Sequence, residues 1–152
     1  MRKKYFALTA PTGNPIPQIV NWYGKLDVRK ANRQDYKCIS EHLFLEMRTG
    51  MDVVYPDILI MPVLMVSEEA MEVIKFYVEE MPFLHIILFD EVREESKAYY
   101  CPVLEEVEEG EMGREALYRV KHPDGYEIML CEELIESLLD RGVTGMELIQ
   151  KY

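Results

Sequence analysis

Residues 4–9 read KYFALT, an aromatic and apolar stretch suited to a strand, and it stops where Pro11, Pro15 and Pro17 mark a loop rich in proline, glycine and asparagine. Between Trp22 and Met47 polar residues interrupt any clean period, and only His42-Leu43-Phe44-Leu45 reads as a short strand. Residues 58–66 form a continuous apolar run that Pro62 splits or confines to an edge or bend. Ser67 then offers an N-cap, followed by Glu68 and Glu69 where the helix dipole favours acid. Ala70, Met71, Val73, Ile74, Tyr77, Val78 and Met81 recur at the three-and-four spacing of one buried helical face. The pattern predicts a helix over 67–81 that ends before Pro82.

Residues 83–89 (FLHIILF) are almost wholly apolar, as in a strand covered on both faces, and residues 97–104 predict another strand, interrupted at Pro102. Residues 117–120 and 126–130 flank His122-Pro123-Asp124-Gly125, a turn signal that predicts a hairpin. Residues 132–141 predict a second helix with Leu134, Ile135, Leu138 and Leu139 on one side. Arg141 suits its negative end and Gly142 its C-terminal cap. A closing strand is expected over 146–150. Strands outnumber helices, so the expected class is α+β: a mainly antiparallel sheet packed with two principal helices. No repeat or compositional break divides residues 1–152, which read as one domain.

With 152 residues and 49% of them hydrophobic, the chain can bury a real core without staples. Charge changes the picture more. Asp and Glu number 28 against 17 Lys and Arg, a net −11, which argues against gripping nucleic acid phosphates or anionic membranes. The excess is uneven: residues 1–50 carry +5, residues 51–89 −6, residues 90–115 −7 and residues 116–152 −3. No apolar run approaches the roughly 20 residues of a spanning helix, and no signal-peptide core follows the basic start Met1-Arg2-Lys3-Lys4. Cys38, Cys101 and Cys131 would leave one over in any pairing and read as reduced thiols, so the expected compartment is the cytoplasm.

Candidate chemistry is sparse. Cys38 and His42 stand four apart, a single loose pair where a structural zinc site needs four ligands, so no metal site is expected. Ser40, Ser67, Ser96 and Ser137 lack a nucleophile elbow, and Cys101 pairs with His85 or His122 only if the fold is assumed. His85 reads as a hydrogen-bonded interior histidine, and Asp52 and Asp57 as turn residues. No glycine-rich phosphate cradle occurs. No catalytic residue and no cofactor is assigned, and the chain is not expected to be an enzyme. The densest charge is Glu105, Glu106, Glu108, Glu109 and Glu111, either a solvated loop or an acidic face that meets a basic partner. Tyr99 and Tyr100 precede it and Tyr118 follows. Tyrosines favour interfaces, so Tyr99, Tyr100 and the five glutamates are the candidate partner-binding residues.

Over residues 58–150 the segment order becomes recognisable. Pro62-Val63-Leu64-Met65-Val66-Ser67-Glu68-Glu69-Ala70 leads into a helix, an apolar strand and then a tyrosine-bearing strand with an acidic follow-on. A hairpin, the closing helix and Gly142-Val143-Thr144-Gly145-Met146-Glu147-Leu148 complete it. The chain resembles the bacterial immunity proteins of immunity family eleven, formerly a domain of unknown function, found in polymorphic toxin systems. Its most specific element is the ending, helix then Gly-x-Thr-Gly then strand; the basic residues 1–50 match less clearly. The resemblance implies a protein that binds and neutralises a cognate toxin by direct contact, and it supplies no catalytic residues. The acidic balance suits a basic toxin, nucleases being the obvious basic class. Two other readings stand beside it: a small ligand-binding domain or enzyme with a pocket between the sheet and helix 67–81, and a homo-oligomeric structural protein.

Overall fold

The computed structural model describes residues 4–9, 15–48 and 52–150. Met1, Arg2, Lys3 and the first part of the loop expected from Pro11 lie outside the described residues. The strands are β1 (Tyr5–Thr9), β2 (Ile19–Val20), β3 (His42–Met47), β4 (Ile58–Leu59) and β5 (Met65–Val66). Helix α1 (Glu68–Tyr77) follows, then β6 (Phe83–Asp90), β7 (Glu95–Pro102), β8 (Glu106–Glu108), β9 (Leu117–His122) and β10 (Gly125–Cys131). Helix α2 (Glu132–Asp140) and β11 (Glu147–Gln150) close the chain. The class is α+β, with two mostly antiparallel sheets ordered β11-β1-β10-β9-β8 and β2-β3-β6-β7-β5-β4. Two pairings are parallel, β3 with β6 and β8 with β9. No helix among the described residues is long and apolar enough to cross a membrane.

The expected caps form. Ser67 Oγ accepts the Ala70 N–H at 3.3 Å and starts α1. At the end of α2, Gly142 adopts φ +79° and its N–H reaches Leu139 O, while the Val143 N–H reaches Leu138 O. This pair of bonds closes the helix and buries Val143. Gly145 has a second reason to be glycine. Its φ is +93°, and a Cβ there would stand 2.7 Å from Ile58 O and 2.8 Å from Pro56 Cβ. Between the two glycines, Asp57 Oδ2 accepts from Thr144 N at 2.8 Å and Thr144 Oγ1 at 3.0 Å, pinning the ending to the start of β4.

Two apolar clusters share the interior. Sheet β11-β1-β10-β9-β8 and both helices enclose one, with Ala7, Leu117, Met129, Ile74 and Leu134 at its centre. The other lies between β3, β6 and β7 and the irregular segment that contributes Leu26, Ala31 and Ile39. Residues 22–41, which showed no period, therefore serve as the cover of a sheet. They hold two single 3-10 turns, Val28–Lys30 and Tyr36–Cys38.

Three expectations need correction. Helix α1 stops at Tyr77, and Met81, though buried, sits beyond it: Pro82 constrains only its predecessor, and the chain spends residues 78–82 turning towards β6. Strand β6 is covered well on only one face. Leu84, Ile86 and Leu88 are buried, whereas His85, Ile87 and Phe89 are half-buried beside Phe44, which is 61% exposed. The acidic run 105–111, for which a solvated loop is one expectation, is part strand, because β8 pairs with β9.

Candidate protein-binding surface

The side of α1 towards the interior carries Ala70, Val73 and Ile74, and that of α2 carries Leu134, Ile135 and Leu138, all buried. With these stripes inward, most other positions of both helices point out, Met71 excepted, which packs against the first apolar cluster. The outward set is acidic. Glu68, Glu69, Glu72, Glu79 and Glu80 lie on or just after α1, and Glu132, Glu133, Glu136 and Asp140 on α2. All but Glu132 are exposed. Lys75 and Arg141 are the basic residues in these two stretches, and each is engaged: Lys75 Nζ lies 5.6 Å from the Phe83 ring centre, and Arg141 Nη2 donates to Glu72 Oε2 at 2.6 Å.

Cross-links hold the two helices together. The Tyr77 hydroxyl donates to Glu133 O at 3.0 Å and stands 2.5 Å from Ser137 Oγ, and the Arg141–Glu72 pair spans the same gap. A groove of about 560 Å³ runs between the helices, lined by Val73, Phe76, Tyr77, Ser137, Asp140 and Arg141. Phe76 is 84% exposed and Leu139 57%. Phe76 is the most exposed of nine large apolar side chains that reach solvent among the described residues. Its signal is present in the sequence: Phe76 falls off the three-and-four stripe of α1. Leu139, expected on the buried side of α2, is rotated one position past Leu138 into solvent.

The acidic run behaves differently. Glu105, Glu108, Glu109 and Glu111 are exposed, but Glu106 turns inward. Its Oε1 accepts from Asn32 Nδ2 at 3.3 Å and lies 3.7 Å from Arg119 Nε. Arg119 is buried; its guanidinium donates to Ala31 O at 2.6 Å and to Val28 O, beneath the Tyr126 ring at 3.6 Å. Burial lowers the Arg119 pKa below its ordinary value, with Tyr126 and Glu106 opposing the shift. Glu109 Oε2 stands 3.8 Å from His122 Nδ1, and Glu127 Oε1 3.2 Å from His122 Nε2.

The tyrosines split between the two faces of β7. Tyr99 is a correction: it is completely buried, its hydroxyl donates to Pro56 O at 2.7 Å, and burial raises its pKa, so it presents no ring to a partner. Tyr100 points the other way, half-buried and stacked on His85 at 5.2 Å. Tyr118 is also interior, its hydroxyl accepting from Gly113 N at 2.9 Å and Glu115 N at 3.0 Å. Of the seven candidate residues, Tyr100, Glu105, Glu108, Glu109 and Glu111 reach the surface, on a different part of the fold from the helix pair.

Cys101 and His85 lie on opposite faces of their sheet and do not pair. Burial pushes its thiol up to about 12, and it faces the second apolar cluster while His85 on the next strand faces away. His85 is a further correction, half-buried and turned outward to His42. No three His, Cys, Asp or Glu side chains among the described residues gather as metal ligands. On the inward side of α1, Ala70, Val73 and Ile74 pack into the first apolar cluster. A cleft of about 310 Å³ opens between the sheets beside Arg119 and Tyr126, where the guanidinium is bound to carbonyls. Compared with known proteins, the chain matches no protein-family model and no curated protein.

Proposed function

We propose that this is an immunity-type protein that binds and neutralises a cognate bacterial toxin by direct contact, with the outward face of α1 and α2 as its docking surface. The observation that carries this reading is Phe76, 84% exposed at the rim of a groove framed by acidic side chains. Binding energy at protein interfaces concentrates in a few aromatic anchors, while surrounding charge steers encounter and selects the partner. Nine carboxylates against two engaged cations select a basic partner. The Tyr77 and Arg141 cross-links fix the two helices before binding, which lowers the ordering cost of association. The toxin as partner rests on the resemblance of residues 58–150, and the cytoplasm as meeting place on the acidic, disulfide-free chemistry of the described residues.

The test is co-expression with the product of a neighbouring toxin-like gene. A stoichiometric complex, suppressed toxicity, and loss of both in Phe76→Ser are expected. Undiminished toxicity with the wild-type chain sinks the toxin reading. A Phe76-dependent homodimer in light scattering instead assigns the face to a second copy.

A further inference from the structure

His42 and His85 are direct partners in the parallel register of β3 and β6, and both project from the sheet face that α1 leaves partly open. Their Nδ1 atoms stand 3.3 Å apart, with the rings at 86° to one another. One ring can donate to the other at this distance when it carries its proton on Nδ1. With both Nδ1 atoms unprotonated, the same separation matches another geometry. Two nitrogens bound to one tetrahedral zinc at about 2.0–2.1 Å each lie about 3.3–3.4 Å apart.

We propose that His42 and His85 form a two-histidine site for a divalent transition-metal ion of the zinc class, clamping β3 to β6. Two imidazole nitrogens suit Zn²⁺, Ni²⁺ or Cu²⁺, whereas Mg²⁺ and Ca²⁺ require oxygen ligands. The His85 ring is oriented before the ion arrives, stacked on Tyr100 with 20° between the planes. His42 is exposed, so the ion enters from solvent and water completes its coordination. The net charge of −11 raises the local concentration of a dication.

The site is distinct from the helix-pair face and does not depend on it. Its test is calorimetric titration of the chelator-stripped full chain with zinc chloride, followed through the imidazole nitrogens by NMR. One zinc per chain is expected, with His42 and His85 Nδ1 shifting and His122 unmoved. The thermal midpoint should rise with zinc concentration. His42→Ala removes an exposed side chain and leaves the fold intact, yet should weaken zinc by more than about tenfold, a loss that even outer-shell partners can cause. Cys38→Ser should leave affinity unchanged, and magnesium should give no response. Absence of saturable binding, wild-type affinity in His42→Ala, or a zinc response that follows Cys38 or His122 overturns the proposal.

Discussion

Glu106 and Glu136 both sit in glutamate-rich stretches, and the fold treats them in opposite ways. Glu106 turns inward to Asn32 and the buried Arg119, whereas Glu136 stays on the exposed rim of α2 near Leu139. The cause is the element that carries each. Pairing of β8 along β9 sets Glu106 opposite the buried Arg119, whereas Glu108, two residues on and on the same face, lies opposite the exposed Lys121; Val107 between them packs against the first apolar cluster. A helix that buries one stripe leaves its remaining carboxylates outward together. Charge density along the chain therefore does not locate a binding face. Unlike the β8 run, the helix pair sets exposed apolar side chains, Phe76 and Leu139, among its carboxylates.

The largest effect should come from the inward side of this comparison. Arg119→Met strands Glu106 and releases the carbonyls of Val28 and Ala31, and should cost about 3 kcal/mol in urea unfolding. Partner affinity, measured on the folded fraction, should not change. A loss below about 0.5 kcal/mol would show that the β8 region is not tied through Arg119.

Next comes Phe76→Ala, which should cost about 2 kcal/mol in partner binding, roughly thirtyfold, with unfolding free energy moved by less than about 0.5 kcal/mol. Unchanged affinity would remove the anchor from the docking face and erase the contrast. The smallest effect separates the two acidic surfaces directly. Glu69→Gln with Glu136→Gln should slow association several-fold at low ionic strength and much less at high salt, while Glu108→Gln with Glu111→Gln should change it little. The reverse order would move the docking surface to the β8 side.

Legibility varied with the range of the interaction. Ser67 as a cap, the His122-Pro123-Asp124-Gly125 turn joining β9 to β10 and the Gly142 helix stop were all readable, because each is settled among residues a few positions apart. The α+β class followed from the same local signals. Tyr99 and Tyr100 were not separable by sequence. They differ only in which face of β7 they occupy, and that depends on what covers each side of the sheet. The segment over 22–41 gave no period because its apolar residues meet a sheet singly, without a regular face of their own.

Local chemistry in the sequence thus determined where strands and helices start and stop, how the terminal Gly-x-Thr-Gly turns, and that acid dominates the chain. Only the tertiary structure decided which acid is available. Glu106 lies inward because Arg119, 13 positions along the chain, is opposite it in the β8–β9 register, and Phe76 stays outward because α2 packs against the neighbouring stripe of α1. The same is true of His42 and His85, 43 positions apart yet one strand spacing from each other. Partners so distant in sequence meet only when the sheets close, and no pattern within a single segment encodes that meeting.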